Sequence, residues 1–157
     1  MTPSTLDSTL ANYAAGLDAS LELLSELHAM AGRQEAACAD GRLHAAEQLA
    51  GPRARVLEAL LTQDGRLAPL RATVIANLDV ARTRPGFAAA AARHASARET
   101  LAAILEADAR TKGAINASAA ARRELGQTLE LGGATLAAYR RIIAPPPEHA
   151  SIVRARG

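Results

Sequence analysis

The side chains that could carry chemistry are histidines, one cysteine and scattered carboxylates. The four histidines fall in different segments, at His28, His44, His94 and His149. Helical di-iron sites use Glu-x-x-His pairs, whereas this chain offers the reversed pair His44 and Glu47, which is typical of a solvated helix face. His28 and Cys38 do not complete a zinc site, which needs four ligands. No phosphate loop, nucleophile elbow or dinucleotide fingerprint is present. The sequence therefore predicts no enzyme activity, no metal site and no cofactor.

Charge and hydropathy favour a protein that works in the cytoplasm without a nucleic acid or a membrane as partner. The net charge is +2, and the arginines lie among acids without aromatic residues for base stacking. The longest apolar run, residues 87–92, is far too short to span a bilayer. The N-terminus has no signal-peptide pattern, and the single Cys38 cannot form an internal disulfide. We expect a soluble cytoplasmic protein.

The two halves of the chain differ in charge. Residues 1–50 carry seven acids against two arginines, a net charge of −5, and residues 51–157 carry sixteen basic residues against nine acids, a net charge of +7. Opposite charges of this kind predict attraction between the halves.

Composition and turn signals predict long helices. Hydrophobic residues are 49% of the chain while aromatic residues are 2%, so much of the apolar content is alanine, the strongest helix former. A first helix is expected from about Pro3, with Asp7 in its first turn, to about Ala39, and Asp40–Gly41 ends it. A second, antiparallel helix follows, with a kink or restart at Gly51–Pro52.

Three further signals divide the rest of the chain. Asp64–Gly65 predicts another turn before a short third segment that runs from Leu67 to Leu78. Residues 82–86, which contain Pro85–Gly86, predict a clear break. A long fourth helix is expected from about Phe87 to about Leu131, with Gly132–Gly133 ending or fraying it. Residues 144–157 contain three consecutive prolines and predict a flexible, basic tail.

Both long helices carry core-type positions in four-three alternation, the pattern of a coiled-coil seam. In the first helix the seam consists of Leu6, Leu10, Tyr13, Leu17, Leu24, Leu27, Ala31 and Cys38. In residues 97–143 it consists of Ala97, Leu101, Ile104, Asp108, Thr111, Ile115, Ser118, Arg122, Leu125, Leu129, Gly132, Leu136, Tyr139 and Ile143. Polar residues on such a seam trade stability for register or partner choice, so Asp108 and Arg122 are candidate register or specificity residues.

These elements predict an all-α protein. The expected fold is an elongated antiparallel helical hairpin plus a second long helix, a three- to four-helix bundle or coiled coil. We expect one helical domain over residues 1–143 and a tail over residues 144–157. The first part of the second seam, residues 97–115, is expected to pack on the leucine-rich hairpin, which leaves the later part as a binding surface.

The arrangement resembles the FlgN-type flagellar export chaperones. The similar segments are the leucine-rich residues 21–24 with residues 33–35, the turn at residues 39–41, the stretch RARVLEALL at residues 53–61, and LAAILEADARTKGAIN at residues 101–116. Tyr139 lies where that family has a tyrosine after its last helix. The chain differs in having Asp108 and Thr111 where the family often has asparagines, and Arg140–Arg141 after the tyrosine.

The resemblance implies a chaperone that binds the hook–filament junction proteins FlgK and FlgL and delivers them to the export gate protein FlhA. A terminal client helix would pack in a groove. The implied client-binding residues are Leu125, Leu129, Leu136 and Ile143, and Tyr139 would dock to the gate.

Other interpretations of these residues stay open. Leu125 and Leu129 could be internal core, Asp108 and Arg122 could face solvent, and Tyr139 could be a helix-end packing residue. The alternative function is a self-associating coiled-coil adaptor or structural protein without flagellar clients, and a homodimer is left open.

Overall fold

The computed structural model describes the backbone of residues 3–143 and the side chains of residues 5–130 and of Ala134. The described backbone is helical with short connections and contains no strand, which confirms the predicted all-α class. The helices are α1 (Pro3–Ala39), α2 (Leu43–Gln48), α3 (Ala50–Ala76), α4 (Leu78–Ala81) and α5 (Pro85–Ile143). The predicted tail, residues 144–157, lies outside the described residues.

Helix α1 follows its predicted seam closely. All eight predicted seam residues, from Leu6 to Cys38, are buried, and Leu10 and Leu27 are almost completely enclosed. Ser20, Met30 and Ala37 are buried as well. Because α1 presents one continuous face of large side chains, it forms the central element on which the other helices pack.

The end of α1 is a Schellman motif. Gly41 has a φ of 73°, the left-handed conformation that glycine adopts without strain. The Arg42 N–H donates to the Ala37 carbonyl at 2.8 Å, and the Gly41 N–H donates to the Cys38 carbonyl at 3.1 Å. The predicted stop at Asp40–Gly41 is therefore confirmed.

The predicted interruption near Gly51–Pro52 occurs slightly earlier. Helix α2 ends before Leu49 and α3 begins at Ala50, so Pro52 is the third residue of α3. Proline is tolerated there because the first N–H groups of a helix have no partner within the helix.

The turn predicted at Asp64–Gly65 was wrong. Helix α3 continues through these residues to Ala76, and it also includes Pro69. Leu67 and Val74 are buried against α1 in this segment, and Arg71 Nη1 donates to Asp64 Oδ1 at 2.8 Å. Packing of the apolar face therefore outweighs the local preference of Asp-Gly for a turn.

The last helix begins as expected and ends later than expected. Pro85 is the first residue of α5, where its fixed φ suits a helix start. The predicted end at Gly132–Gly133 was wrong, because the α5 backbone stays helical to Ile143.

Asp7, predicted in the first turn of α1, lies just beyond that turn and pairs with Arg84.

The chain divides into two compact units, residues 1–115 and residues 116–157. In the first unit, α3 runs antiparallel to α1, as Gln63 Nε2 donating to the Gly16 carbonyl and Arg53 Nη1 donating to Gln34 Oε1 show. The first part of α5 runs parallel to α1, because its two ion pairs with α1, Arg93 with Asp18 and Arg110 with Glu35, both join residues 75 positions apart. The second unit is described through its helical residues 116–143.

Between residues 97 and 115 of α5, two buried positions are predicted seam residues, and a third lies one residue before a predicted seam residue. Within the first unit, Ile104, Ala107 and Thr111 are buried. The predicted seam residues Leu101 and Ile115 are instead 46% and 45% exposed. Ile104 and Ala107 pack in one cluster with leucines of α1 and Val56 of α3, so this part of α5 packs on the hairpin as expected. Ala107 is buried one position before the predicted seam residue Asp108.

Candidate protein-binding site

The predicted client-binding leucines are exposed. Leu125 is 59% exposed and Leu129, one helical turn later, is 65% exposed, so neither belongs to an internal core. Arg122, one turn before Leu125, is exposed as well. Leu136, Tyr139 and Ile143 belong to α5, but their side chains lie outside the described residues. Leu125 and Leu129 therefore form the described part of the predicted site, called here the α5 leucine pair.

Asp108 is held inside the first unit and joins three helices. Arg53 Nη1 and Nη2 donate to the two oxygens of Asp108, each at 2.8 Å. Arg53 Nη1 also donates to Gln34 Oε1 at 2.6 Å. The Arg53 side chain is mostly buried. This bidentate pair fixes the position of α5 along α3 and α1. Both hydrogen bonds form only when the guanidinium and carboxylate groups lie side by side in one plane.

Ion pairs link the acidic first helix to the basic part of the chain. Arg93 Nε donates to Asp18 Oδ1 at 2.6 Å. The other two pairs are Arg84 with Asp7 and Arg110 with Glu35.

Hydrogen bonds from the arginines lower the pKa values of two of these carboxyl groups. Arg84 lowers the pKa of Asp7, and Arg110 lowers the pKa of Glu35, since each guanidinium stabilises the ionised carboxylate. Three ion pairs between described residues thus join the two halves whose opposite charges predicted an attraction.

The described residues considered for catalysis or metal binding do not form a metal-ligand cluster. His44 Nδ1 lies 3.8 Å from Glu47 Oε2 on an exposed helix face, and Cys38 is a buried free thiol. Among the described residues, no group of three or more histidine, cysteine, aspartate or glutamate side chains could hold a metal ion.

A groove between α3 and α5 was missed by sequence reasoning. It consists of two cavities of about 380 Å³ and about 310 Å³ that share Tyr13, Arg71, His94 and Arg98. Buried side chains of α1, such as Leu10 and Leu17, form its floor. The signal in the sequence was a second apolar stripe on each helix, besides the residues that face α1. This stripe consists of Leu57 with Leu61 on α3 and Leu101 with Leu105 on α5. We call this feature the α3–α5 groove.

These features define an all-α helical bundle protein with exposed apolar helix surfaces. No helix in the described part of the chain is long and apolar enough to cross a membrane. No protein-family model, curated protein or solved structure matches the chain.

Proposed function

We propose that this protein is a FlgN-like cytoplasmic export chaperone that acts by binding rather than by catalysis. Its clients would be hook–filament junction proteins of the FlgK and FlgL type, and it would deliver them to an FlhA-like export gate. The single observation that carries the proposal is the exposure of the α5 leucine pair.

The physical reason lies in how amphipathic helices associate. Leu125 and Leu129 lie four residues apart, and side chains at this spacing lie on one face of a helix. A client helix that carries its own apolar stripe could cover both leucines and remove their surface from water. Each fully covered leucine would contribute about 1.5–3 kcal/mol before the entropic cost of association is subtracted.

The two polar seam residues take different roles in this proposal. Asp108 is paired with Arg53 inside the bundle, so it would set the register of α5 rather than touch the client. Arg122 is exposed one turn from Leu125 and would select clients that carry an acidic group at the matching position.

Co-expression with FlgK- and FlgL-like proteins tests the proposal. The wild-type chain is expected to co-purify with at least one of them as a one-to-one complex. The double substitution Leu125→Ser and Leu129→Ser is expected to weaken the complex at least about tenfold in isothermal titration calorimetry, because both apolar anchors are lost.

The matched control is Val80→Ser, which also replaces an exposed apolar side chain but in α4. The control should bind like the wild type. A complex that ignores the double substitution would overturn the assignment of the site. A chain that binds neither client but sediments as a salt-insensitive oligomer would favour the self-associating adaptor instead.

A further inference from the structure

The α3–α5 groove has the shape of a vacant helix position. Helices α3 and α5 both pack on α1 in residues 1–115, and the groove follows the line between them. Lining residues on α5 extend from Phe87 to Leu101. At 1.5 Å per residue, this stretch is about 21 Å long, enough for about four turns of a helix.

Large apolar side chains are exposed along both rims. On α3 they are Leu61 and Ile75, which are 72% and 63% exposed. On α5 the rim residue is Leu101, which is 46% exposed. The floor between these rims is apolar as well, so a helix seated there would contact apolar side chains from three sides.

The charge of the groove indicates which kind of helix fits. Its titratable lining groups other than Tyr13 are Asp64, Arg71, His94 and Arg98. Asp64 is already neutralised by Arg71, whose Nη1 lies 2.8 Å from its Oδ1. Arg98 is exposed and forms no ion pair with any described residue. The groove is therefore apolar with an unmatched positive charge near its centre.

We propose that the α3–α5 groove binds an amphipathic helix of a partner protein, with an apolar stripe that is flanked by carboxylates. The leucines and Ile75 on the rims cover the stripe, and Arg98 pairs with a flanking glutamate or aspartate. This surface uses residues of the first unit alone and does not depend on the α5 leucine pair or on the flagellar clients.

A pair of designed peptides tests the charge requirement. One fluorescein-labelled peptide of about 18 residues has leucine at every third or fourth position and glutamates beside the central leucines. Its twin has lysine in place of each glutamate. In fluorescence anisotropy with the full chain, the glutamate peptide is expected to bind about tenfold more tightly, and Arg98→Glu is expected to reverse this preference.

Further variants locate the binding surface. The double substitution Leu61→Ser and Leu101→Ser is expected to weaken binding of the glutamate peptide at least about tenfold. The Leu125→Ser and Leu129→Ser variant should bind it like the wild type. Circular dichroism checks that each variant stays helical.

Three results would overturn the proposal. The first is equal affinity for both peptides. The second is loss of binding on substitution of Leu125 and Leu129 but not of Leu61 and Leu101. The third is a wild-type dimer in sedimentation that Leu61→Ser and Leu101→Ser convert to a monomer, because a second copy of the chain would then be the occupant.

Discussion

Helices α1 and α5 were predicted from the same four-three spacing, yet they bury their large side chains to different degrees. In α1, every large residue on the seam is buried. In α5, the positions that pack are largely small, such as Ala90 and Ala107, while Leu101, Leu105, Leu125 and Leu129 are exposed. The comparison shows that spacing locates a seam but does not show which of two neighbouring stripes the fold buries.

The difference also separates stability from binding. A buried leucine on α1 contributes to folding, since its removal leaves a cavity. An exposed leucine on α5 contributes little to folding, and its surface remains available for a partner. The variants below test this division.

The largest expected effect comes from Leu27→Ala compared with Leu129→Ala. Leu27 is almost fully enclosed between α1, α3 and α5, so truncation should lower the free energy of unfolding by about 2–5 kcal/mol. Leu129→Ala should change it by less than about 0.5 kcal/mol, as for other exposed positions. Urea unfolding followed by circular dichroism measures both values. Equal losses of unfolding free energy would show that the exposed leucine of α5 stabilises the fold as much as the buried leucine of α1.

Glycine substitutions in α1 sharpen the comparison between its packed and open faces. A Cβ at Gly16 would lie 2.2 Å from Leu67 Cδ2, whereas a Cβ at Gly32 would meet nothing within 4 Å. Gly16→Ala should therefore destabilise the protein by about 1–3 kcal/mol through overpacking. Gly32→Ala should stabilise it by about 1 kcal/mol through helix propensity. Urea denaturation of both variants measures the two changes in unfolding free energy, which should have opposite signs. Stabilisation of both variants would show that α3 lies farther from Gly16 in solution than in the structure.

The contact that fixes α5 on α3 is tested by Asp108→Asn, with Glu99→Gln as control. Loss of the carboxylate leaves the Arg53 guanidinium without its charged partner, so stability should fall by about 1–2 kcal/mol. Glu99 is exposed on α5, and its substitution should have almost no effect. Thermal unfolding of the two variants provides the measurement, and equal melting temperatures would show that the pair does not stabilise the bundle.

A smaller, stabilising effect is expected for Thr111→Val. The Thr111 Oγ1 is buried and has no hydrogen-bond partner among the described residues. Replacing the hydroxyl by a methyl group should raise the free energy of unfolding by about 1 kcal/mol. Thr128→Val is the control, since the Thr128 hydroxyl is exposed and donates to the Glu124 carbonyl at 3.0 Å. A destabilised Thr111→Val variant would indicate that the hydroxyl has a partner in solution.

The smallest effect concerns acid. The pKa values of Asp7, Glu35 and Asp64 are lowered in the folded chain because arginines hydrogen bond to their carboxylates. The unfolded chain therefore takes up protons at these sites first, at about pH 4. The stabilisation is complete above about pH 5 and is lost as the pH falls through the lowered values.

Urea midpoints measured between about pH 6 and about pH 2 report this dependence. In the Asp7→Asn and Glu35→Gln double variant, the midpoints should fall less steeply with acid than in the wild type. Identical slopes would mean that these two pairs do not contribute to stability in solution.

Much of the fold could be predicted because its signals are local and agree with one another. The α1 seam combines large residues with strict spacing, and Gly41 supplies the conformation that its end requires. The attraction between the halves followed from charge alone, although the individual pairs, such as Arg93 with Asp18, did not.

Two predicted helix breaks were wrong. Asp64–Gly65 and Gly132–Gly133 carry turn or helix-ending signals, and both lie inside continuous helices. A local preference of about 1 kcal/mol per glycine is smaller than the gain from burying side chains such as Leu67 and Val74 beside the first of these pairs.

By itself, the sequence determined the helical class, the buried face of α1, the turn at Gly41 and the charge attraction between the two halves. Spacing, residue size and net charge are properties of the chain and do not require knowledge of which helices meet. Tertiary structure alone decided which stripe of α5 is buried, which acid pairs with which arginine, and that a groove lies between α3 and α5. These depend on the relative positions of three helices, because packing small alanines of α5 against the large leucines of α1 leaves Leu101 and Leu105 of α5 at the surface.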